Sequence, residues 1–316
     1  MRQHRLLILP LLMLAGACAD RASTGPTALV RLSSVQGEGD EASANAHLDL
    51  RAEREALLAA DRAYSAASQG LNLVDAIVGT LAPNAVLVAP GPGLAVGPAQ
   101  ARAVLMANPN NPLSKWSWTP IRGDVSSDGT HGYTYGYGDV TLPSGAVVPV
   151  KYQSYWEKQA DGSWKVAAYK RVGRGPGAVR LTPPTGFETP DEKHRRHFPN
   201  TTAADAVAQV RAADVAFSDL AQVTTVSAAF AAFAAPDGVH TGGAIEFAFG
   251  PDEIAALFDG LAAGSFSWAP EIAGAAESGD LGFTVGFVRA PSGAIAGKYY
   301  TIWQRQDDGS WLFVAD

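Results

Sequence analysis

Apolar positions along this chain follow two rhythms, first helical and then alternating, and the whole succession occurs twice. From about His47 to Gln69, Leu50, Leu57 and Leu58, then Ala60 and Tyr64, recur at the spacing of one helix face. Val207, Val210, Val215, Phe217 and Leu220 mark a second segment of that kind, with Thr201-Thr202 or Asp205 placed to cap its start. A short helix is expected after each, over Asp75 to Leu81 and Ser227 to Ala234, ending at Pro83 and Pro236. Short strands follow at Val86 to Val88 and at Val239 to Thr241. In the first half Pro90 to Gly93 then turns the chain back toward Val96. Gly97-Pro98 and Gly250-Pro251 open further helices, expected to reach Met106 and Leu261. Large and small residues then alternate through Trp116 to Trp118, Tyr133 to Tyr137, Val147 to Trp156 and Trp164 to Tyr169. Pro143-Ser144-Gly145 and Asp161-Gly162-Ser163, repeated as Pro291-Ser292-Gly293 and Asp308-Gly309-Ser310, read as hairpin turns at exposed tips. Helices first and a meander of strands after predicts an α+β layout in each half, with helices on one face of a bent antiparallel sheet.

The two halves are copies. Ala60-Asp61-Arg62-Ala63-Tyr64-Ser65 returns as Ala213-Asp214-Val215-Ala216-Phe217-Ser218, a shift of 153. The shift falls to 150 at Trp118/Trp268 and Gly136/Gly286, and to 147 at Lys151-Tyr152/Lys298-Tyr299 and Trp156/Trp303. Units of this size are domains, too long for solenoid repeats. The expected division is 47–173 and 201–316, joined by a Pro-rich spacer over 174–200.

The order helix, short helix, strand pair, Gly-Pro helix and long strands resembles the NTF2-like superfamily, with its SnoaL-like and DUF4440-like branches nearest. Gly297-Lys298-Tyr299-Tyr300-Thr301-Ile302-Trp303, Asp308-Gly309-Ser310-Trp311 and Val314-Ala315-Asp316 carry the resemblance most specifically. It implies two tandem cone-shaped α+β barrels, each with a pocket at its wide end. Superfamily members include isomerases, dehydratases, polyketide cyclases and plain binding modules, so the resemblance speaks for fold more than for function.

Arg2, His4 and Arg5 ahead of the apolar run Leu6 to Leu14, then Ala15-Gly16-Ala17 and Cys18, resemble a bacterial lipoprotein signal, apart from Ala15 where that motif usually carries Leu. The resemblance implies removal of residues 1–17, lipidation of Cys18, a flexible tether over 18–46, and attachment to the outer membrane facing the periplasm. Cys18 is the chain's only cysteine, so no disulfide within the chain is expected. Charge is uneven: residues 51–173 carry 11 basic and 9 acidic groups, residues 201–316 carry 4 and 14. Neither copy shows a basic stripe, and the acidic second copy repels nucleic acid.

Candidate chemistry is sparse. Alternation puts Lys298, Tyr300 and Ile302 on one strand face and Tyr299, Thr301 and Trp303 on the other. One member of each pair, Lys151-Tyr152 and Lys298-Tyr299, therefore faces a cone interior, and the pattern leaves open which. Tyr64, Trp116, Trp118, Lys151, Tyr152, Lys298 and Tyr299 are the candidate ligand-binding residues, suited to an apolar small molecule. For proton transfer beside a carbonyl, the resemblance implies a carboxylate base and an oxyanion donor. Tyr64 stands where ketosteroid-isomerase-like members carry a tyrosine, but the second copy has Phe217 there. Asp61 and Asp214 recur mid-helix, where a surface or hydrogen-bonding role is the simpler expectation. No repeated carboxylate-plus-tyrosine set is visible. The second copy adds His240, Glu246 and Asp316 in place of Leu87, Gly93 and Tyr169, the catalytic candidates.

His194 and His197 flank two arginines, which disfavours a metal there, and no glycine-rich phosphate loop or Gly-x-Ser-x-Gly follows a strand. No cofactor and no metal are expected. The leading expectation is a membrane-anchored binding or scaffold lipoprotein, whose copies pair as a pseudo-dimer within the chain or whose chain forms a homodimer. The alternative is a cofactor-independent isomerase, cyclase or dehydratase. Any apolar ligand is expected in the first copy and any proton transfer around His240 in the second.

Overall fold

The computed structural model describes residues 48–188, 198 and 201–316. Cys18, the signal and tether assignments, and the His194–His197 stretch lie outside those residues. In the first copy, helix α1 (Leu50–Ala67) starts where the Asp49 carboxylate accepts from the Ala52 N–H, with Glu53 favourably placed in the first turn. Helix α2 (Leu73–Val78), strands β1 (Leu81–Val88) and β2 (Ala95–Val96), and helix α3 (Gly97–Met106) follow. Four long strands complete it: β3 (Lys115–Val125), β4 (His131–Thr141), β5 (Val147–Lys158) and β6 (Trp164–Gly173). The second copy repeats the plan with α4 (Ala203–Val223), α5 (Val226–Phe233), β7 (Ala234–His240), β8 (Ala248–Phe249) and α6 (Gly250–Ala256). It closes with β9 (Ser267–Ala275), β10 (Leu281–Arg289), β11 (Ile295–Arg305) and β12 (Trp311–Ala315). Thr202 and Asp205 form a reciprocal capping box at α4.

Each copy forms one six-stranded sheet, β2-β1-β6-β5-β4-β3 and β8-β7-β12-β11-β10-β9. Both are mixed, not purely antiparallel, because β1 runs parallel to β6 and β7 parallel to β12. The two prolines expected to end the short helices lie inside strands instead. Register slips between Leu81 and Val86, and between Ala234 and Val239, so Pro83 and Pro236 sit in irregular stretches where a missing N–H breaks no ladder bond. Helix α6 stops at Ala256, short of Leu261. Val215, placed on the apolar stripe by its spacing, is exposed. The buried face of α4 runs through Val210, Asp214, Phe217 and Ser218.

Side-chain parity assigns the two faces of each sheet. Tyr152, Ser154 and Trp156 point at the helices, while Lys151, Gln153 and Tyr155 point the other way. The outward faces of the two copies pack on each other around a shared core of Tyr133, Tyr135 and Tyr155 with Phe247, Phe283 and Tyr300. Directed bonds cross this boundary. Gln153 Nε2 donates to the Tyr300 carbonyl at 2.6 Å, and the Arg122 guanidinium pairs with Asp237. The Ser127 N–H donates to Asp280 at 2.9 Å and the Ser278 N–H to Asp128 at 2.9 Å. Exchange of equivalent loops and carboxylates makes the junction nearly two-fold.

The four predicted hairpin glycines, Gly145, Gly162, Gly293 and Gly309, all adopt positive φ, the conformation such turns require. Among the described residues no helix is long and apolar enough to cross a membrane.

Candidate functional site

The most deliberate polar arrangement is one that both copies repeat. Asp61 stands on the buried face of α1, where Leu57, Asp61 and Ser65 follow at four-residue spacing. Its Oδ1 accepts from Trp118 Nε1 at 2.6 Å and its Oδ2 from the Tyr152 hydroxyl at 2.7 Å. Asp214 on α4 takes Trp268 Nε1 at 2.9 Å and the Tyr299 hydroxyl at 2.6 Å. Beside them Ser65 Oγ accepts from the Trp118 N–H, and Ser218 Oγ from the Trp268 N–H, both at 3.0 Å. These bonds fasten the first helix of each copy to β3 or β9 and to the long central strand. Burial pushes the Asp61 carboxyl up, against the pull of its Trp118 and Tyr152 donors. Burial likewise pushes Asp214 up to about 6. A carboxylate-plus-tyrosine pair therefore is part of the shared plan, contrary to the sequence expectation. The tyrosine comes from the Lys-Tyr strand and not from the first helix.

Tyr64 lies elsewhere. Its hydroxyl donates to the Trp164 carbonyl at 3.0 Å and its ring stacks on Trp156, and it lines none of the cavities described below. Lys151 is also not a cone residue. Its ammonium donates to the carbonyls of Thr241 at 3.0 Å and Glu246 at 2.6 Å, and to that of Gly243, all in the other copy. Lys298 does the converse, donating to the Ala89 carbonyl at 2.6 Å and to that of Gly93. Each lysine thus ties down the other copy's loop after its first strand. Desolvation pulls the Lys151 ammonium down to about 8. Tyr133, Tyr135, Tyr137 and Tyr155 are spent in the junction between the copies or at its edge, not in the first cone.

Three spaces bear on these residues. Deep in cone one, Trp116, Trp118, Tyr152 and Tyr169 leave about 10 Å³ beside Asp61, room for a single water. At its wide end, between α3 and the sheet, lies an open cavity of about 730 Å³. Leu87, Val104, Leu105, Val140 and Val150 wall it, and Tyr169 and Arg171 of β6 supply polar groups. In copy two, Phe266 stands where copy one has Trp116 and Asp316 where it has Tyr169. The smaller side chains open about 210 Å³ reaching Tyr299 and Trp268.

That second pocket brings His240, Asp316, Lys298 and Tyr299 together, and adds Lys170 from copy one. Glu246 is not with them, because it holds Arg180 in an ion pair at 2.8 Å. Burial drives the His240 imidazole down to about 3, helped by Lys170 and Lys151, so it is neutral. Its Nδ1 accepts from the Gly242 N–H at 2.8 Å, which leaves the proton on Nε2. Burial raises Asp316 to about 6, opposed by Lys170 and by the Thr301 hydroxyl at 3.2 Å. Sequence reasoning passed over Lys170 and Arg171. The signal was their position on β6 next to Tyr169, where parity sends Lys170 across the junction and Arg171 into the first cavity. Among the described residues no cluster of His, Cys, Asp and Glu is arranged to hold a metal.

No model of a known protein family matches the chain, and no curated protein does. Solved structures resembling it each match about one copy. A ketosteroid isomerase-like protein from Erwinia carotovora atroseptica SCRI1043 is 21% identical, covers 40% of this chain and 95% of its own, with a TM-score of 0.29. The epoxide hydrolase/cyclase-like enzyme SalBIII is 19% identical over 40% of this chain and 92% of its own, TM-score 0.29. A conserved protein from Planctomyces limnophilus DSM 3776 is 18% identical over 39% and 98%, TM-score 0.30. Helices packed on one face of a mixed six-stranded sheet, with a cavity against that sheet, occur twice over in the element order, strand pairing and cavity lining. The described chain folds as two tandem α+β units of one element order, packed sheet to sheet, the layout that the resemblance to NTF2-like cones implied.

Proposed function

We propose that the protein is a small-molecule-binding module whose ligand occupies the wide end of cone one. We further propose that a lipid on Cys18 holds it to the outer membrane, facing the periplasm. The fold admits a binding module or an isomerase- or cyclase-type enzyme, so the choice rests on the sites. The observation that carries the reading is the cavity of about 730 Å³, within the range of ligand pockets and walled by aliphatic side chains. Catalysis at the repeated aspartates is disfavoured because Asp61 and Asp214 each already accept from a tryptophan and a tyrosine. The space beside Asp61 also has no room for a substrate. The anchor rests on the charged, apolar and small-residue order that ends at Cys18.

Titrating the protein with Nile red and following dye and tryptophan fluorescence tests the site. Val150→Trp should fill the cavity and abolish binding, while Val288→Trp, in the second pocket, should leave it intact. The reverse pattern would overturn the assignment to copy one.

One observation favours a second reading, proton transfer in copy two. Asp316, raised toward neutrality, shares its pocket with the neutral His240 and with Tyr299. Asp316 would be the base and His240 Nε2–H the donor to a developing oxyanion. Enzyme-dependent deuterium uptake next to the carbonyl of a cyclic ketone, lost in Asp316→Asn, would support it. Uptake no faster than in buffer for a panel of such ketones would end it.

A further inference from the structure

The cavity of cone one holds a cation that no carboxylate among the described residues pairs with. Arg171 lines it, and its Nη1 is fully buried and meets no acceptor. Among the described residues no carboxylate forms an ion pair with Arg171. Its guanidinium carbon lies 5.7 Å from the centroid of the Trp116 ring. Two residues back on the same face of β6, the Tyr169 hydroxyl is also buried and unpartnered. Burial lowers the Arg171 guanidinium from its ordinary value, and it remains charged at any physiological pH. The guanidinium is half-buried, and the hydration that Nη1 gives up is replaced by no partner among the described residues. Folds tolerate such a group where a ligand completes it.

We propose that the ligand of this cavity is an apolar monocarboxylate, its carboxylate on Arg171 and Tyr169 and its apolar body against Leu87, Val104, Val140 and Val150. The proposal rests on the reading of the cavity as the binding site and deepens it to a ligand class. One guanidinium fork matches one planar carboxylate and leaves no net charge in the pocket. A phosphate dianion would leave one charge unneutralised among aliphatic walls. A neutral lipophile would leave Arg171 as it stands, unpaired.

Decanoate and 1-decanol, alike in chain and different in head, separate this proposal from the reading beneath it. Both are titrated into the full-length mature protein at pH 7.5, followed by calorimetry and by tryptophan fluorescence, to which Trp116 contributes. Decanoate should bind at least tenfold more tightly than decanol. Arg171→Met should remove that preference while leaving decanol binding within about threefold, which also shows that the variant folds. Tyr169→Phe should weaken decanoate by a smaller factor and leave decanol unchanged. Equal binding of the two compounds to the wild type would overturn the carboxylate and leave the cavity assignment standing. Binding of neither would overturn both. If Arg171→Met fails to fold, the wild-type ratio decides alone, and a ratio under threefold defeats the proposal.

Discussion

The Tyr299 hydroxyl donates to Asp214 Oδ2 at 2.6 Å, joining the central strand of the second sheet to the middle of its first helix. Tyr152 and Asp61 repeat the bond at 2.7 Å in the first copy. A hydrogen bond to a buried carboxylate is among the stronger ones a fold can make, and its loss leaves a charge under-satisfied. Tyr299→Phe should therefore cost about 2 kcal/mol in urea unfolding at pH 8. The cost should shrink at pH 5, where Asp214 is largely protonated and has less need of the donor. An equal cost at both pH values would mean that the carboxylate is not what Tyr299 serves.

The raised Asp214 carboxyl makes a signed prediction. Folded, it titrates near 6, against 3.8 as its ordinary value. Between those values the folded chain keeps a proton that the unfolded chain has released, so stability falls as pH rises through this window and levels off above it. Asp214→Asn has no proton to lose there. Its amide oxygen can still accept from Trp268, and its amide nitrogen can donate to the Tyr299 oxygen. Relative to wild type the variant should gain about 3 kcal/mol between pH 3.5 and pH 7.5. Parallel stability curves for the two proteins would refute the shift.

The two exchanged lysines should differ in weight because they differ in burial. Lys151 is wholly buried and serves three carbonyls, whereas Lys298 is only half-buried and serves two. Lys151→Met should cost about 3 kcal/mol and Lys298→Met about 1 kcal/mol. Hydrogen exchange should locate each loss in the opposite copy, at 241–246 and at 89–93. Ala89 belongs to the rim of the first cavity, so Lys298→Met should also weaken ligand binding there several-fold. Lys151→Met should leave ligand affinity as it was. Exchange that rises only around the substituted residue would show that the loops do not depend on these lysines.

On the proposed lipid anchor, Cys18→Ser removes the chain's only thiol and with it the lipidation site. The variant should appear in the soluble fraction of lysed cells, with its precursor unprocessed or cleaved elsewhere. Continued sedimentation with the envelope, resistant to high salt, would assign the membrane attachment to something other than Cys18.

Much of the architecture was legible because it depends on local spacing. The helix start at Thr202 and the four positive-φ hairpin glycines are set by residues within a few positions of one another. The duplication added the global plan, since two copies that keep Gly136/Gly286 and Trp156/Trp303 must fold alike. Local spacing misled where tertiary context outweighs propensity. Pro83 and Pro236 would end a helix, yet here they occupy the irregular part of a strand whose lost N–H is not needed. Val215 fits an apolar stripe, yet Asp214 is the buried neighbour because Trp268 and Tyr299 bring it two donors.

What the chain determined by itself is which residues alternate, where elements begin, and that the plan is used twice. Alternation has two equivalent solutions for any strand, and the choice between them is made by what each face meets. The tertiary structure turned Tyr152 and Tyr299 inward to a carboxylate 91 and 85 positions earlier, and Lys151 and Lys298 outward to carbonyls of the opposite copy. The cavities were decided in the same way. They are what remains after packing, so the exchange of Trp116 for Phe266 and of Tyr169 for Asp316 opens one cone's depth and leaves the other filled. The extension of β6 to Gly173 brings Arg171 to the open mouth, where the sequence shows only a basic residue near the end of a strand. Burial and partnering are properties of three-dimensional neighbourhoods, which the local spacing of residues does not record.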